Sequence, residues 1–454
     1  TTKKSNKALE FSVGSVVGSH QAANESFDKF SYLSNYLNLS GTRKKLTYKF
    51  NIANQNINGM SSVSNGDELD RFNRSNIGVQ FGRDGASFDW NLSYNKAHIA
   101  SDYDNVFPVE DSDFVLITDL ERFSWSSSYS YSKGSINATF GMQNTDRDFQ
   151  DSYPRYLEAS NLMLDVYNKY IFKERLYAIV GYTHQNSSYE GVPSVSQNDV
   201  YFNLVYLSSY GFNLNAGTRL NKHETYGDHL TYSFNPSYSF NLANKNRLKL
   251  FSSLSSAFIP PSLYQLYDFY SGNLELKPEE NTTFELGTEW SDNKNTKASL
   301  VVFRRTENPT LVYDFSTYRY GNSESELTYK GVEFEYQNKL FNLVDLRFNY
   351  TYNETTGGNL INLPKHAASG ILDYDVHDRF HVNTSIQHIG TRASLSDLEL
   401  EAYTLVDLKL THTFLNQRLN AFLILSNLFD SEYIEIENFS TQGRNFRVGL
   451  NFTF

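Results

Sequence analysis

The chain of 454 residues carries a net charge of −11, contains no cysteine and is 15% aromatic, with 33 Tyr and 34 Phe. This composition excludes disulfides, thiolate metal sites and cysteine nucleophiles, and its acidic balance argues against nucleic acid as a partner. No apolar run approaches the ~18 residues of a membrane-spanning helix, and TTKKSNKALEF lacks the apolar core of a signal peptide. A bilayer can still be crossed by strands with one apolar and one polar face, provided they close into a barrel.

Strand-like sequence starts at KALEFSVGSVV (7–17) and recurs along the chain. In KKLTYKFNIA, Leu46, Tyr48, Phe50 and Ile52 alternate with Thr47, Lys49 and Asn51. In GSINATFGMQ, Ile136, Ala138, Phe140 and Met142 alternate with Asn137, Thr139, Gly141 and Gln143. The chain ends RNFRVGLNFTF, with Phe446, Val448, Leu450, Phe452 and Phe454 on one side and Arg447, Gly449, Asn451 and Thr453 on the other. Period two predicts β-strands with an apolar face toward lipid and a polar face toward a lumen. The segments run ~10–13 residues, the span of a tilted membrane strand rather than the ~5–6 of a globular sheet.

Connections alternate in length. Tight turns are predicted near Thr42–Lys44, Arg83–Asp84, Lys133–Gly134, Lys173–Glu174 and Ser209–Tyr210. Others fall near Ala243–Lys245, Asp292–Asn295, Phe341–Asn342, His377–Asp378 and Leu415–Gln417. Between them lie long polar loops, among them Asn54–Arg71, His98–Leu120, Pro260–Glu280, Asn308–Glu326 and Leu428–Gly443. About ten short turns and eleven long loops imply about 22 strands, with both chain ends on the short-turn side. No internal repeat of the propeller or solenoid kind is present. The predicted fold is all-β: one transmembrane antiparallel β-barrel over residues 1–454, with short periplasmic turns and long extracellular loops.

Four stretches carry a resemblance. They are SSAFIPPSLYQLYDFYSGNLELKPEENTTFELGTEW (255–290), YKGVEFEYQ (329–337), LSNLFDSEYIEIE (425–437) and GRNFRVGLNFTF (443–454). In order and spacing they resemble the TonB-dependent outer-membrane receptors of Gram-negative bacteria, and the resemblance spans essentially the whole chain. Within that family QLYDFYSGN (265–273) is most similar to the vitamin B12 receptors. The resemblance implies a bacterial outer-membrane location and energised uptake of cobalamin or, alternatively, a ferric siderophore. It also implies a terminal Phe454, with Phe452, read by the barrel-assembly machinery. The family's N-terminal plug and TonB box are expected to be absent from this chain. A partner role for the TonB complex then runs through a plug, and a lumen-filling chain or a surface lipoprotein is a further expected partner. A plugless passive or structural barrel in a multichain assembly is the reading from another class.

Site candidates follow from the loops. Tyr264, Tyr267, Phe269 and Tyr270, with Tyr313, Tyr318 and Tyr320 in a second loop, offer faces to stack on a planar ligand. The same residues would also suit an aromatic girdle at the membrane interface. SDYDNVFPVEDSDF (101–114) gathers Asp102, Asp104, Glu110, Asp111 and Asp113, hard oxygen donors of the kind that hold Ca²⁺. NGDELD (65–70) is a second acidic candidate, and a solvated acidic loop explains either stretch as well. No histidine spacing, nucleophile elbow or phosphate loop points to an enzyme.

Overall fold

A computed structural model describes residues 7–454 apart from 24, 26–28, 107, 293, 324, 342 and 359–360. Among the described residues, 22 antiparallel strands form one sheet that closes on itself. The first strand, Glu10–Gly18, pairs with both Tyr32–Arg43 and the last strand, Asn445–Thr453. Closure satisfies the backbone of every strand and leaves no edge in the bilayer.

The predicted facing holds on the last strand. Val448 and Leu450 are 46% and 52% exposed on the outer surface, while Asn451 turns inward and accepts a hydrogen bond from the Tyr36 hydroxyl at 3.0 Å. Phe454 packs beside Phe452 (4.3 Å between ring centroids) and Phe11 (5.9 Å) at the short-turn rim.

Inside the barrel, aromatic rings lie flat over cross-strand glycines. Phe422 opposes Gly449, Phe251 opposes Gly287, and Tyr36 opposes Gly14. A Cβ on Gly449 or Gly287 would sit 2.2 Å from the facing ring, so each close approach needs a residue without a side chain. The lumen wall also carries a polar network. Arg219 Nε donates to buried Asp199 at 2.9 Å, and the Tyr201 and Thr183 hydroxyls both donate to Asp165.

Two sequence expectations need correction. The segment His98–Leu120 is not a long loop: it lies in one hairpin of strands Phe88–Val106 and Val109–Tyr131. The second of these is 23 residues long, ~55 Å of tilted strand against an apolar band of ~25 Å. This wall therefore rises well above the bilayer. There both faces meet water, so apolar–polar alternation stops while the strand continues, and a polar strand reads like a loop. Nor are all outer-rim connections long. Strand Leu176–Tyr189 turns into Val192–Leu207 through Glu190 and Gly191 alone, with Gly191 at φ +71°.

Candidate functional site

The loop between strands Arg247–Ile259 and Glu279–Ser291 opens with Pro260 and Pro261, which keep the chain extended. Ser262 then caps a single helical turn, Leu263–Tyr267: its side chain accepts from Gln265 N, and the Gln265 side chain accepts from Ser262 N. The Asp268 carboxylate ends the turn by accepting from Ser271 N at 3.0 Å and Ser271 Oγ at 2.7 Å. The following loop folds as its own hairpin, Thr310–Asp314 with Arg319–Ser323.

Hydrogen bonds stitch the two loops together. Tyr320 N donates to Ser271 O, Asn273 Nδ2 to Tyr320 O and Lys277 N to Asn322 Oδ1, all within 3.0 Å. Their rings then converge at the mouth of the lumen. Tyr264 and Tyr320 are 6.3 Å apart and Tyr313 and Tyr320 5.1 Å. Tyr189, from the end of a wall strand, meets Tyr264 at 6.4 Å. Sequence reasoning missed Tyr189 because it lies far from both loops and ends an ordinary strand. Burial pushes the phenols of Tyr189 and Tyr320 up, keeping them neutral hydrogen-bonding groups.

The other predicted aromatics stand apart from this cluster. Phe269 and Tyr270 form a T-shaped pair at 4.9 Å and are 87% and 64% exposed. Tyr318 sits at φ +55° in the hairpin turn, 67% exposed. Tyr267 is 39% exposed, and the neighbouring Tyr226 hydroxyl donates to Leu276 O at 3.0 Å.

The two acidic stretches, distant in sequence, meet in space. Glu68, Asp104 and Asp111 bring carboxylate oxygens within 4.8 Å of one another. Asp104, 6% exposed, accepts from Val63 N at 3.1 Å and Ser112 N at 3.0 Å. Asp111 accepts from Asp67 N at 2.9 Å and Glu68 N at 3.1 Å. Gly66 permits this fold-over, since a Cβ there would lie 2.6 Å from Asp111 Oδ1. Asp113 hydrogen-bonds to Glu68 at the edge of the group, whereas Asp102 is taken by Arg71, Nε to Oδ2 at 2.9 Å. Glu110 is exposed at the tip of the hairpin, where it pairs with Asn105.

This group holds more negative charge than its partners neutralise. Desolvation, the hydrogen bond with Asp113 and the charges of Asp111, Asp113 and Asp70 push Glu68 up to about 7. Burial also raises Asp70, and its Oδ1 is buried without a hydrogen-bond partner. Crowded oxygen donors, an orphaned carboxylate oxygen and a deficit of positive charge fit a hard divalent cation.

Comparison with known proteins bears on this geometry. The family model described as TonB-dependent receptor-like β-barrel matches residues 19–428. The vitamin B12 transporter BtuB of Vibrio cholerae serotype O1 is 26% identical over 219 residues, covering 45% of this chain and 34% of that protein. The match thus spans about a third of the length of this curated relative. The crystal structure of the siderophore receptor PirA from Acinetobacter baumannii shares the fold with a TM-score of 0.85 at 14% identity, over 100% of this chain and 81% of that one. A variant of the ferric enterobactin receptor PfeA from Pseudomonas aeruginosa superposes with a TM-score of 0.81 at 15% identity, again over 100% and 81%. The closed barrel with short turns on one rim, together with the family match over most of its length, places the chain in the TonB-dependent receptor-like β-barrel family, as a bacterial outer-membrane protein.

Proposed function

We propose that this barrel is the wall and mouth of a TonB-driven importer for a scarce, bulky nutrient, cobalamin first and a ferric siderophore as the alternative. The observation that carries the reading is the convergence of Tyr189, Tyr264, Tyr313 and Tyr320 over the lumen. Three chain segments supply one aromatic surface with hydroxyls at its rim, suited to a large ring system that also needs hydrogen bonds. Phe269, Tyr270 and Tyr318 stand further out, where they would make first contact. No catalytic step is assigned to the chain: capture, passage and release account for the residues at the mouth. Energy would come from the TonB complex acting on a plug in the lumen, supplied in cis or by a separate chain.

In this reading Glu68, Asp104 and Asp111 hold a Ca²⁺ ion, with Asp113 beside them. The ion would tie the loop of 59–70 to the raised hairpin and fix one side of the mouth.

Titration calorimetry with cyanocobalamin and with a ferric catecholate tests the assignment. Tyr264→Ala and Tyr189→Ala should each weaken the preferred ligand about fivefold, the loss of one stacking contact with its hydroxyl being worth ~1 kcal/mol. Binding of neither ligand, with the barrel folded, would favour a passive barrel that works with a lumen-filling chain.

A further inference from the structure

We propose that the long-loop rim carries a second binding site, separate from the tyrosine cluster, for a short peptide with both ends free. The site is a cavity of about 510 Å³, with residues 353–355 and 363–365 on one side and 391–399 on the other. Ligand pockets run from ~300 to ~1,000 Å³, so this one has room for a peptide of a few residues. Among the described residues no hydrogen bond or ring contact joins 391–400 to the loops that carry Tyr264, Tyr313 and Tyr320.

Local chemistry fixes both walls. Residues 392–400 fold as a miniature hairpin in which Arg392 is opposite Leu400 and Ala393 opposite Glu399. Ser394, 1% exposed, closes its turn: Ser394 N donates to Leu398 O at 2.8 Å, and Ser394 Oγ accepts from Leu398 N at 3.1 Å. Asp397 adopts the left-handed conformation of this turn, φ +60°, which an aspartate tolerates. Asn362 N ties the facing wall to the hairpin by donating to Ala393 O at 2.8 Å. Asn353 N donates to Lys365 O at 2.9 Å and anchors the backbone of that lysine.

The charges that line the cavity select the ligand. Lys365 and Arg392 bring positive charge to it, and Asp397 and Glu399 bring negative charge. Among the described residues none of these four makes an ion pair, although all of them border one space. A fifth charge, Glu354, is already paired with Lys330 at 3.6 Å. Lys365 lies over the Tyr352 ring, 5.8 Å from its centroid. Arg392 is 5% exposed and donates to main-chain carbonyls, those of Glu401 (3.4 Å), Ile434 and Glu435 (3.5 Å). Its guanidinium stands 5.1 Å from the Tyr403 ring, while the Glu435 carboxylate accepts from the Tyr403 hydroxyl at 3.4 Å. Buried arginines are as a rule paired with an anion, and this one is not. Arg392 and Lys365 thus lack an anion, and the exposed Asp397 and Glu399 lack a cation. A molecule with a carboxylate at one end and an ammonium at the other answers both inside a single cavity, whereas a simple anion or a simple cation answers one. Leu363 and Leu398, 40% and 57% exposed, line the same space and offer apolar contact between the charged ends. A free peptide with apolar side chains combines these three features.

The test is titration calorimetry on the folded chain in nonionic detergent with three probes: trileucine with both ends free, its N-acetylated form and its C-terminal amide. Trileucine should bind, and each cap should weaken it about tenfold, the loss of one charge-assisted contact. Lys365→Gln should narrow the gap between trileucine and its amide and leave the gap to the acetylated form. Asp397→Asn/Glu399→Gln should do the reverse. A purely structural effect would lower all three affinities together and leave both gaps as they are. Lys96→Gln serves as the control, because that lysine already pairs with Glu121 at 2.7 Å; it should keep both gaps. Equal binding of the three probes overturns the proposal, as does binding of none, or gaps that survive both sets of variants. Should Asp397→Asn disturb the turn, Glu399→Gln alone decides by the same gap. Excess cyanocobalamin should not displace trileucine, whether or not the tyrosine cluster binds that nutrient. Displacement would put the peptide at the tyrosines and overturn the separate site.

Discussion

Placing an arginine on the lipid face of the closing strand separates the two faces of this barrel by energy. Val448 and Leu450 lie about six and four residues above Phe454, so ~14 Å and ~10 Å above the short-turn rim at the usual rise and tilt. Both are then within ~3 Å of the middle of a ~25 Å apolar band, where an arginine costs ~2–4 kcal/mol. Val448→Arg and Leu450→Arg should each lower the unfolding free energy by about that much, a roughly 30- to 1000-fold shift in the folded-to-unfolded ratio. Asn451→Arg points into the lumen. It loses the hydrogen bond from Tyr36 (3.0 Å) and should cost ~1 kcal/mol. The assay is reversible guanidinium unfolding in phospholipid vesicles, read by the fluorescence of Trp90, Trp125 and Trp290. Equal losses at positions 450 and 451 would refute the facing assignment on which the barrel reading rests.

Two further outcomes are expected. Gly449→Ala forces the Phe422 ring off its cross-strand seat and should cost ~1–3 kcal/mol, with Gly449→Ala/Phe422→Ala recovering part of it in the same titration; additive losses would show that the contact is not tight. At the acidic site the folded carboxyl of Glu68 is raised to about 7, above the ~4.3 of an unfolded Glu. Its contribution to local stability is therefore present below pH ~4.3 and lost as the pH rises through about 7. In chelator, the amides of Val63, Asp67, Glu68 and Ser112 should exchange faster as the pH climbs through this window, beyond the intrinsic rate increase. Millimolar Ca²⁺ should remove that loss, since the cation needs the deprotonated form. A protection profile indifferent to Ca²⁺ at pH 8 would sink the cation site.

Much of this was legible in the sequence because a membrane barrel imposes a strict code. Each spanning strand must be apolar outward and polar inward, and Phe446 to Phe454 could be assigned to the lipid face from spacing alone. The same code failed over His98–Leu120, where the strands leave the bilayer and water on both faces erases the alternation. The loop aromatics were visible as residues, yet which of them converge was not. Tyr264, Tyr313 and Tyr320 meet through backbone bonds between two loops, and Tyr189 joins them from a strand closed into the same wall. Likewise NGDELD and the 101–114 segment each read as a solvated acidic stretch. Only the raised hairpin brings Glu68 onto Asp104 and Asp111 and strips water from them. Sequence by itself determined the barrel, because every strand had to answer to lipid on its own. The mouth was decided by the tertiary structure, because its residues answer only to one another, across separations that no local pattern records.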